Sequence, residues 1–362
     1  MKPLPELLAE LVALRSLSGA EDGAAAYAAD LLRAGGLDVE RLGNSVLARA
    51  GGCGGPRLLL HSHLDTVPAG QDWDQDPWRA RWDQDRLVGL GANDAKASAA
   101  AMMTALLQLA QQPSAPGEVW LALTACEETD NSGMAAVLAR IGLPDGAVAG
   151  EPTGLQVVRA QAGLAILRAV WRGRSCHAAH VARVDHLNAL LEAASDLAQL
   201  GSYLRLEGQH PLLGPSTVAP TLFHSGARHN LVPDLAEAVF DCRLNPPHDA
   251  AACRRALEDQ LPNAQVSVQS ERLVPVETPE RHPLVQAALR CAGKSQAIGS
   301  STLSDMALLP GVPAVKCGPG ASERSHTRNE FVLRSELEAG ARFYARLVPM
   351  ALAALEPQPV AP

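Results

Sequence analysis

The chain has 362 residues, of which 47% are hydrophobic, and a formal net charge of -8 at pH 7. This length is sufficient for two domains, or for one large domain with an insertion. The negative charge and the absence of a basic stripe argue against binding to nucleic acid or to an anionic membrane surface.

The seven cysteines are spread along the chain without a CxxC pair, which favours reduced thiols in a cytoplasmic protein over a disulfide framework. The N-terminus carries Glu6 and Glu10 and has no uninterrupted apolar run, so we expect no signal peptide. The most apolar helical stretch, residues 97–110, is too short to span a bilayer.

The first 162 residues alternate between helical and strand patterns. Leucines at helical spacing predict a helix over residues 4–14, and a second helix over 21–34 ends at a pair of glycines. Further helices are predicted at 95–112, closed by Pro113, and at 134–141, and strands at 37–41, 46–49, 57–62, 86–90, 118–125 and 147–150. This alternation predicts an α/β fold, with a mostly parallel sheet flanked by helices.

The pattern changes from about Gly163. Strands are predicted at 165–172, 217–224, 236–244 and 265–270, and helices at 185–200 and 249–261. The chain then returns to the first sheet through helices at 281–292, 303–309 and 334–352 and a strand at 314–317. We therefore expect a discontinuous domain of residues 1–162 and 273–362, an inserted α+β domain of residues 163–272, and a disordered tail from residue 356.

Histidines and acidic residues occur where predicted strands end. His63 and Asp65 follow the apolar run 58–60, and residues two apart on an extended segment point to the same side. Other candidates in similar settings are Asp94, Glu127, Glu128, Glu151 and His326. In open α/β sheets, sites form beyond the carboxyl ends of strands. Because a hydrolytic two-metal site needs oxygen and nitrogen ligands, we interpret these residues as one binuclear metal centre that activates water to cleave an amide.

Each candidate also has a simpler interpretation. Asp65 could cap a turn, and Asp94 could be the N-cap of the following helix. The Glu127–Glu128 pair could be a solvated helix start, where carboxylates suit the helix dipole. The remaining candidates could be ordinary core or surface residues. Their occurrence together favours the metal centre.

Five motifs follow one another along the chain: HSHLDTVP at 61–68, GLGANDAK at 89–96, TACEE at 124–128, GEPT at 150–153, and GPG at 318–320 followed by HTRNE at 326–330. Together they resemble the co-catalytic metallohydrolases typified by acetylornithine deacetylase, succinyl-diaminopimelate desuccinylase, aminoacylase and related carboxypeptidases. The resemblance covers nearly the whole chain. One departure is Ala97–Ser98, where the family usually has glycines after the lysine.

The resemblance implies a set of roles for the metal ligands. Asp94 would bridge two divalent metal ions, with zinc expected and cobalt as the alternative. His63 and Glu151 would complete the shell of one metal, and Glu128 and His326 that of the other.

The resemblance also implies three catalytic roles. Asp65 would orient the His63 ring by a hydrogen bond to its far nitrogen. Glu127 would be the general base that takes a proton from water and later delivers it to the leaving amine. His177 would donate to the oxyanion in the active site of a partner subunit, which implies a homodimer formed through the inserted lid and dimerisation domain.

Substrate contacts are predicted at four positions. Arg243 is a candidate to clamp a substrate carboxylate, with a structural ion pair to Asp241 as the alternative. Asn230 lies in another segment that matches the family. Ser304 and Arg324 could line the pocket for the acylated amino acid, or lie in exposed loops.

The expected activity is removal of a small acyl group from the α-nitrogen of an amino acid, with acetylornithine as the first candidate substrate. The alternatives within this chemistry are succinyl-diaminopimelate, a lysine or ornithine attached to a carrier protein, and a dipeptide. An alternative of another class is a binding module that has kept the fold and lost catalysis. That alternative requires damaged ligands, and all five predicted ligands are present.

Overall fold

The computed structural model describes residues 2–52, 54–111 and 117–356. The chain divides into two compact units. The larger unit comprises Met1–Arg159, Glu277–Ile298 and Ser304–Pro362, and the smaller unit comprises Ala160–Val276 and Gly299–Leu303.

Eight α-helices lie within the described ranges: α1 (Leu4–Ala13), α2 (Asp22–Ala34), α3 (Lys96–Leu109), α4 (Ser132–Ile141), α5 (Ala189–Leu200), α6 (Ala250–Gln260), α7 (Pro283–Ala292) and α8 (Arg334–Leu355). Three short 3₁₀ helices are found there as well: η1 (Ala178–His180), η2 (Asp305–Leu308) and η3 (Ser322–Arg324).

The same ranges contain seventeen strands. They are β1 (Asp38–Leu42), β2 (Ser45–Gly51), β3 (Arg57–His63), β4 (Arg81–Asp83), β5 (Arg86–Val88), β6 (Glu118–Thr124), β7 (Gly146–Ala149), β8 (Val158–Gln161), β9 (Gly163–Arg172), β10 (Leu204–Arg205), β11 (Thr217–Ser225), β12 (Leu235–Leu244), β13 (Ala264–Leu273), β14 (Val276–Glu277), β15 (Ile298–Ser300), β16 (Ala314–Lys316) and β17 (Phe331–Leu333).

The largest sheet has the strand order β1-β2-β6-β3-β7-β16-β8-β14, with β15 paired to β8. Its central strands β6, β3, β7 and β16 run parallel to one another, whereas β1 and β2 on one side and β8 on the other pair antiparallel with their neighbours. Helices α3 and α8 pack against β3, and α4 packs against β2 and β6. The predicted fold class, a mostly parallel sheet flanked by helices, is confirmed.

Helix α3 lies at the centre of the larger unit's core. All side chains from Lys96 to Leu107 are buried, so this helix has no polar face. Small alanines allow α1 and α8 to pack closely against it. The buried Lys96 ammonium donates to the carbonyl oxygens of Leu11 and Leu14, both at 3.0 Å, and thereby fixes the end of α1.

The smaller unit contains an antiparallel sheet of order β10-β11-β12-β9-β13. Helices α5 and α6 pack on one face of this sheet. That face carries the apolar side chains of alternate residues, such as Leu167, Val218, Phe240 and Cys242. A third, three-stranded sheet is formed by β17, β5 and β4.

Several local predictions were wrong. Residues 303–309 form only the short 3₁₀ helix η2, and the helix predicted from residue 185 begins at Ala189, where the Asn188 side chain caps it. The short strands β8, β10, β14, β15 and β17 were not predicted, because two to four residues are too few for a periodic pattern. The helix end predicted at Pro113 and the tail residues 357–362 lie outside the described residues.

None of the helices in the described part of the chain combines the length and the apolar character needed to cross a lipid bilayer.

Candidate metal centre

Three neighbouring parallel strands deliver four of the predicted site residues to one edge of the sheet. Strand β3 ends at His63, β6 ends just before Glu127 and Glu128, and β7 ends just before Glu151. The strands lie in the order β6-β3-β7, and His63 stands opposite Thr124 in the ladder. Because carboxyl ends of parallel strands share one edge, these side chains converge.

Asp94 reaches the same place from the connection between β5 and α3. The buried carboxylate of Glu330 accepts hydrogen bonds from the backbone N–H groups of Asn93 (2.8 Å) and Asp94 (2.9 Å). The N-cap of α3 is Ala95, which makes no side-chain cap, so the interpretation of Asp94 as an ordinary helix cap was wrong.

His326 lies in the segment between η3 and β17. It therefore precedes a strand, and the expectation that every candidate follows a strand was wrong for this residue. Its backbone has φ 59°, in the left-handed region that non-glycine residues adopt infrequently. Such conformations persist where surrounding contacts hold them, and they cluster at functional sites.

The His63 ring is oriented by contacts on both of its nitrogens. Its Nε2 lies 3.2 Å from Oδ1 of Asp94 and 3.9 Å from Oε2 of Glu151. Its Nδ1 lies 3.0 Å from the carbonyl oxygen of Asp65 and 3.5 Å from Oδ1 of the same residue. A proton on Nδ1 satisfies these acceptors and leaves the lone pair of Nε2 directed toward the carboxylates.

The second imidazole contacts the other oxygen of Asp94. Nε2 of His326 lies 2.8 Å from Oε1 of Glu128 and 3.6 Å from Oδ2 of Asp94. The His326 side chain is 47% exposed, whereas that of His63 is 1% exposed, so one side of the cluster is open to solvent.

The donor atoms fit a pair of metal ions. Ligand atoms lie within 4.8 Å of one another in the group His63, Asp94 and Glu151, and again in the group Asp94, Glu128 and His326. Asp94 belongs to both groups and faces each imidazole with a different oxygen. Each group offers one imidazole and two carboxylates, which suits zinc and similar divalent ions. A third group combines His63 with Glu127 and Glu128.

Asp65 holds the loop that follows β6. Its Oδ1 accepts from the backbone N–H of Glu127 at 3.0 Å, and its Oδ2 accepts from the N–H of Glu128 at 3.1 Å. Oδ2 also accepts from the hydroxyl of Ser18 at 2.7 Å. Burial opposes ionisation, but the hydrogen bonds with His63, Ser18 and Glu128 lower the pKa of Asp65 to about 2.

Two further buried carboxylates hold the same loop, a role that no sequence pattern predicted. Oε1 of Glu21 accepts from the backbone N–H of Cys126 at 3.1 Å, where the backbone has φ 57°. Asp305 accepts from the hydroxyl of Thr124 at 2.8 Å and from Nδ2 of Asn131 at 3.0 Å. We refer to residues 124–131 as the Glu127 loop.

The site carries an excess of buried negative charge. Burial raises the pKa of Glu127 well above its ordinary value, and the charge of Glu151 adds to the effect while His63 opposes it. Burial also raises the pKa of Glu151 to about 8. The buried Lys316 lies near these acids, although burial lowers its own pKa to about 8. Divalent cations would relieve this repulsion.

Two of the predicted catalytic and substrate-binding residues lie exposed in the smaller unit. His177 precedes η1, and its Nδ1 accepts from the N–H of Ala179 at 3.1 Å. Asn230 is exposed beside Leu231, which forms an isolated bridge with His177.

Arg243, also in the smaller unit, makes the ion pair with Asp241 that was the alternative interpretation. Nε of Arg243 donates to Oδ1 at 2.8 Å, and Nη2 donates to Oδ2 at 3.1 Å. This pair uses two of the five N–H groups of the guanidinium.

Ser304 and Arg324, the other two predicted substrate contacts, both have partners within the protein. Ser304 is 1% exposed and caps η2 by accepting from the N–H of Met306. Arg324 donates to both carboxylate oxygens of Glu336, at 2.7 and 3.1 Å. Its guanidinium carbon lies 4.4 Å from the centroid of the Phe331 ring.

The model of peptidase family M20/M25/M40 matches residues 59–349. A succinyl-diaminopimelate desuccinylase of Stenotrophomonas maltophilia is 29% identical over 377 residues, covering 96% of this chain and 99% of that protein. An acetylornithine deacetylase of Erwinia tasmaniensis is 28% identical, covering 80% and 78% of the two chains. The Bacillus subtilis YXEP protein, described as a dinuclear metal binding peptidase, matches in structure with a TM-score of 0.75 at 18% identity, covering 97% and 98%.

Proposed function

The chain belongs to peptidase family M20/M25/M40 and is a hydrolase of amide bonds, and on this premise we propose that it removes an acyl group from the α-nitrogen of an amino acid. The observation that carries the proposal is the position of Asp94, shared by two groups of ligand atoms beside the half-buried Glu127. N-acetylornithine is the first candidate substrate. N-succinyl-diaminopimelate, a carrier-linked lysine or ornithine, and a dipeptide are the alternatives.

The proposed ligands follow the two groups of atoms. Asp94, which belongs to both groups, would help to hold both divalent ions, zinc or cobalt. His63 and Glu151 would complete one shell, and Glu128 and His326 the other. When bound, the metals would polarise the acyl oxygen and acidify water.

Glu127 is proposed as the general base and acid. Its backbone is fixed by Asp65, and its side chain is close to His63 and Glu128 without belonging to either of the two groups that share Asp94. From this position its carboxylate takes the proton of the attacking water and then delivers it to the leaving nitrogen as the amide C–N bond breaks. Asp65 keeps Nε2 of His63 in its deprotonated form by accepting from the opposite nitrogen.

Steady-state kinetics on matched substrates tests this proposal. The panel contains the acetyl, succinyl and glutamyl derivatives of ornithine and diaminopimelate, together with dipeptides of the same residues. We expect the highest kcat/KM for one acylated amino acid. Turnover of the dipeptides alone would contradict the deacylase assignment.

Metal analysis separates this proposal from an inactive binding module. We expect about two metal equivalents per chain after reconstitution. Less than one equivalent, together with no hydrolysis of any amide in the panel, would favour the binding module.

We also propose that the smaller unit is the inserted lid domain and that it forms a homodimer. Strand β10 pairs only with Thr217 and Val218 of β11, so the rest of that edge has no strand partner in the described residues. Leu222 and Phe223 on this strand are 55% and 43% exposed. An unpaired, apolar edge strand favours association with a second copy.

The homodimer is tested by sedimentation velocity. Leu222→Lys should shift the protein toward monomer, whereas Thr221→Lys, on the neighbouring exposed position, should have a smaller effect. In a dimer, we expect the exposed His177 to serve the partner's site, so that inactive Glu127→Gln and His177→Ala proteins regain activity when mixed. A monomeric wild-type protein with full activity would contradict this arrangement.

A further inference from the structure

The smaller unit contains a cavity of about 470 Å³. Its wall includes Tyr203, Arg205, Thr217, Arg243 and Asn245. This volume is in the range of pockets that bind small molecules.

The strand register explains why the cavity forms. Arg205, Thr217 and Arg243 stand directly opposite one another on β10, β11 and β12. Directly opposite residues point to the same face, and neighbouring strands are about 4.8 Å apart, so the two arginine positions are separated by about 10 Å. Thr217 lies between them and Ala219 lies two residues further along β11, and both side chains are small. Two long cationic side chains therefore border a floor of small residues, on the face opposite α5 and α6.

The charge of this cavity is not balanced. Arg243 is neutralised by its bidentate pair with Asp241. In the described part of the chain, no carboxylate pairs with Arg205. Its Nε donates to the Tyr203 hydroxyl at 2.9 Å, and its guanidinium lies 5.1 Å from the centroid of the Tyr203 ring. Tyr203 thus orients a planar cation whose charge is free for a ligand, a geometry that suits a carboxylate.

Asn245, one of the residues that line the cavity, has a buried acceptor that receives no donor from the described residues. Asn245 is 3% exposed, and its Nδ2 donates to the carbonyl oxygens of Leu213, Gly214 and Pro215, at 3.3, 3.0 and 3.0 Å. These three acceptors fix which end of the amide is the nitrogen. Its Oδ1 accepts no hydrogen bond from any described residue. Buried acceptors are nearly always satisfied in native proteins, so a ligand or an ordered water is expected to supply the donor.

We propose that this cavity binds a small carboxylate that also carries an N–H donor, as a free or acylated amino acid does. Arg205 recognises the carboxylate, and Oδ1 of Asn245 accepts from the nitrogen. The ligand has two conceivable sources, the substrate or product of the enzyme and a separate effector. The inference concerns binding, and it holds whether or not the proposed deacylation is correct.

Titration calorimetry on the full-length, metal-loaded protein tests this site. The probes are L-ornithine and L-glutamate, and L-ornithinamide is the analogue that lacks the carboxylate. We expect at least one of the two amino acids to bind and Arg205→Ala to weaken its binding at least tenfold. Arg205→Lys should restore part of the affinity, because lysine keeps the charge and loses the planar fork. Arg255→Ala is the matched control, since Arg255 is exposed on α6, on the opposite side of the sheet.

Three results would overturn the inference: no binding of either amino acid, equal binding of ornithine and ornithinamide, or equal affinity in the wild-type and Arg205→Ala proteins. The last result is also expected if the carboxylate binds only at the metal centre.

Kinetics then identify the source of the ligand. If the substrate occupies the cavity, Arg205→Ala raises KM for acylated amino acids and leaves kcat nearly unchanged. If a separate effector binds, KM stays constant and the response of activity to added amino acid is lost. Binding by a protein that hydrolyses no amide would refute the proposed function and leave this site supported.

Discussion

Asp65 is the residue on which most contacts of the candidate site converge. Its two oxygens accept from the backbone N–H groups of Glu127 and Glu128 and from the Ser18 hydroxyl, and the same carboxylate faces Nδ1 of His63. One buried carboxylate therefore fixes both a proposed ligand and the proposed base. The sequence suggested only the contact with His63.

Replacing Asp65 with Asn tests this double role. One of the two oxygens becomes an N–H₂ donor, which would face backbone N–H groups that also donate. We expect a loss of about 10- to 100-fold in metal affinity or kcat, the range found for partners of metal ligands. Ser18→Ala removes one of the same hydrogen bonds and should have a smaller effect. Equal losses in the two variants, measured by kinetics and metal titration, would argue against the role of Asp65.

Glu127 is the second residue with a prediction of its own. Glu127→Gln keeps the size of the side chain and removes the proton acceptor, so kcat should fall by about 100- to 10,000-fold. Metal content should stay near that of the wild type, since Glu127 is not proposed as a ligand. Glu128→Gln is the comparison variant at the adjacent position, and it should lower metal content as well as kcat. A Glu127→Gln protein that loses its metal would show that the two roles are assigned the wrong way round.

At the scale of elements, the Glu127 loop is held from three directions. Glu21 comes from the start of α2, Asp65 from the end of β3, and Asp305 from η2. Each is a buried carboxylate that accepts from the loop. Two residues of this loop, Cys126 and Asn131, have a left-handed backbone, and both are contacted by these carboxylates: Glu21 accepts from the N–H of Cys126 and Asp305 from the side chain of Asn131.

The contribution of η2 is tested with Asp305→Ala. This change removes the buried acceptor shared by the Thr124 hydroxyl and Nδ2 of Asn131, and leaves them only their longer contacts with the carbonyl oxygens of Ser62 (3.4 Å) and Glu127 (3.2 Å). Loss of these buried hydrogen bonds should cost about 1–3 kcal/mol. We expect a lower urea midpoint together with a lower kcat. Asp305→Asn keeps one acceptor oxygen and should be milder, and Glu323→Ala, at an exposed position nearby in sequence, should change neither quantity. A protein of full activity and stability would contradict the anchoring role.

The elements differ in how well the sequence predicted them. Strands β3, β6 and β7 were recognisable because apolar runs precede the polar site residues, and their parallel order then places those residues together. The anchors Glu21, Asp305 and Glu330 were not predicted as such. A carboxylate that accepts from distant backbone N–H groups leaves no period or spacing in the sequence, because its partners are set by tertiary structure. Likewise, no short-range pattern indicates that Arg205 and Arg243 lie in register on either side of β11.

At the scale of the whole molecule, the metals should be part of the stability of the larger unit. The cluster gathers four partly buried carboxylates, those of Asp94, Glu127, Glu128 and Glu151. Without cations these carboxylates repel one another, and burial further disfavours their charge.

Removal of the metals with a chelator should therefore lower the unfolding temperature, and added zinc should restore it. A metal at 100 times its Kd stabilises the folded state by about 2.7 kcal/mol. The measurement is differential scanning calorimetry of the treated and reloaded protein. Asp94→Asn, which weakens both proposed shells, should show a smaller difference between the two states. An unfolding temperature that does not respond to chelation would argue against tight binding at this cluster.

The route of the polypeptide through β8 and β14 has a practical consequence. The N–H of Thr278 donates to the carbonyl oxygen of Arg159 at 2.8 Å, so the points where the chain departs for residues 160–276 and comes back lie side by side. Replacing residues 160–276 with a short glycine-containing turn would connect Arg159 directly to Glu277. Such a shortened protein would retain every proposed ligand and could serve as a minimal scaffold onto which other specificity modules are grafted.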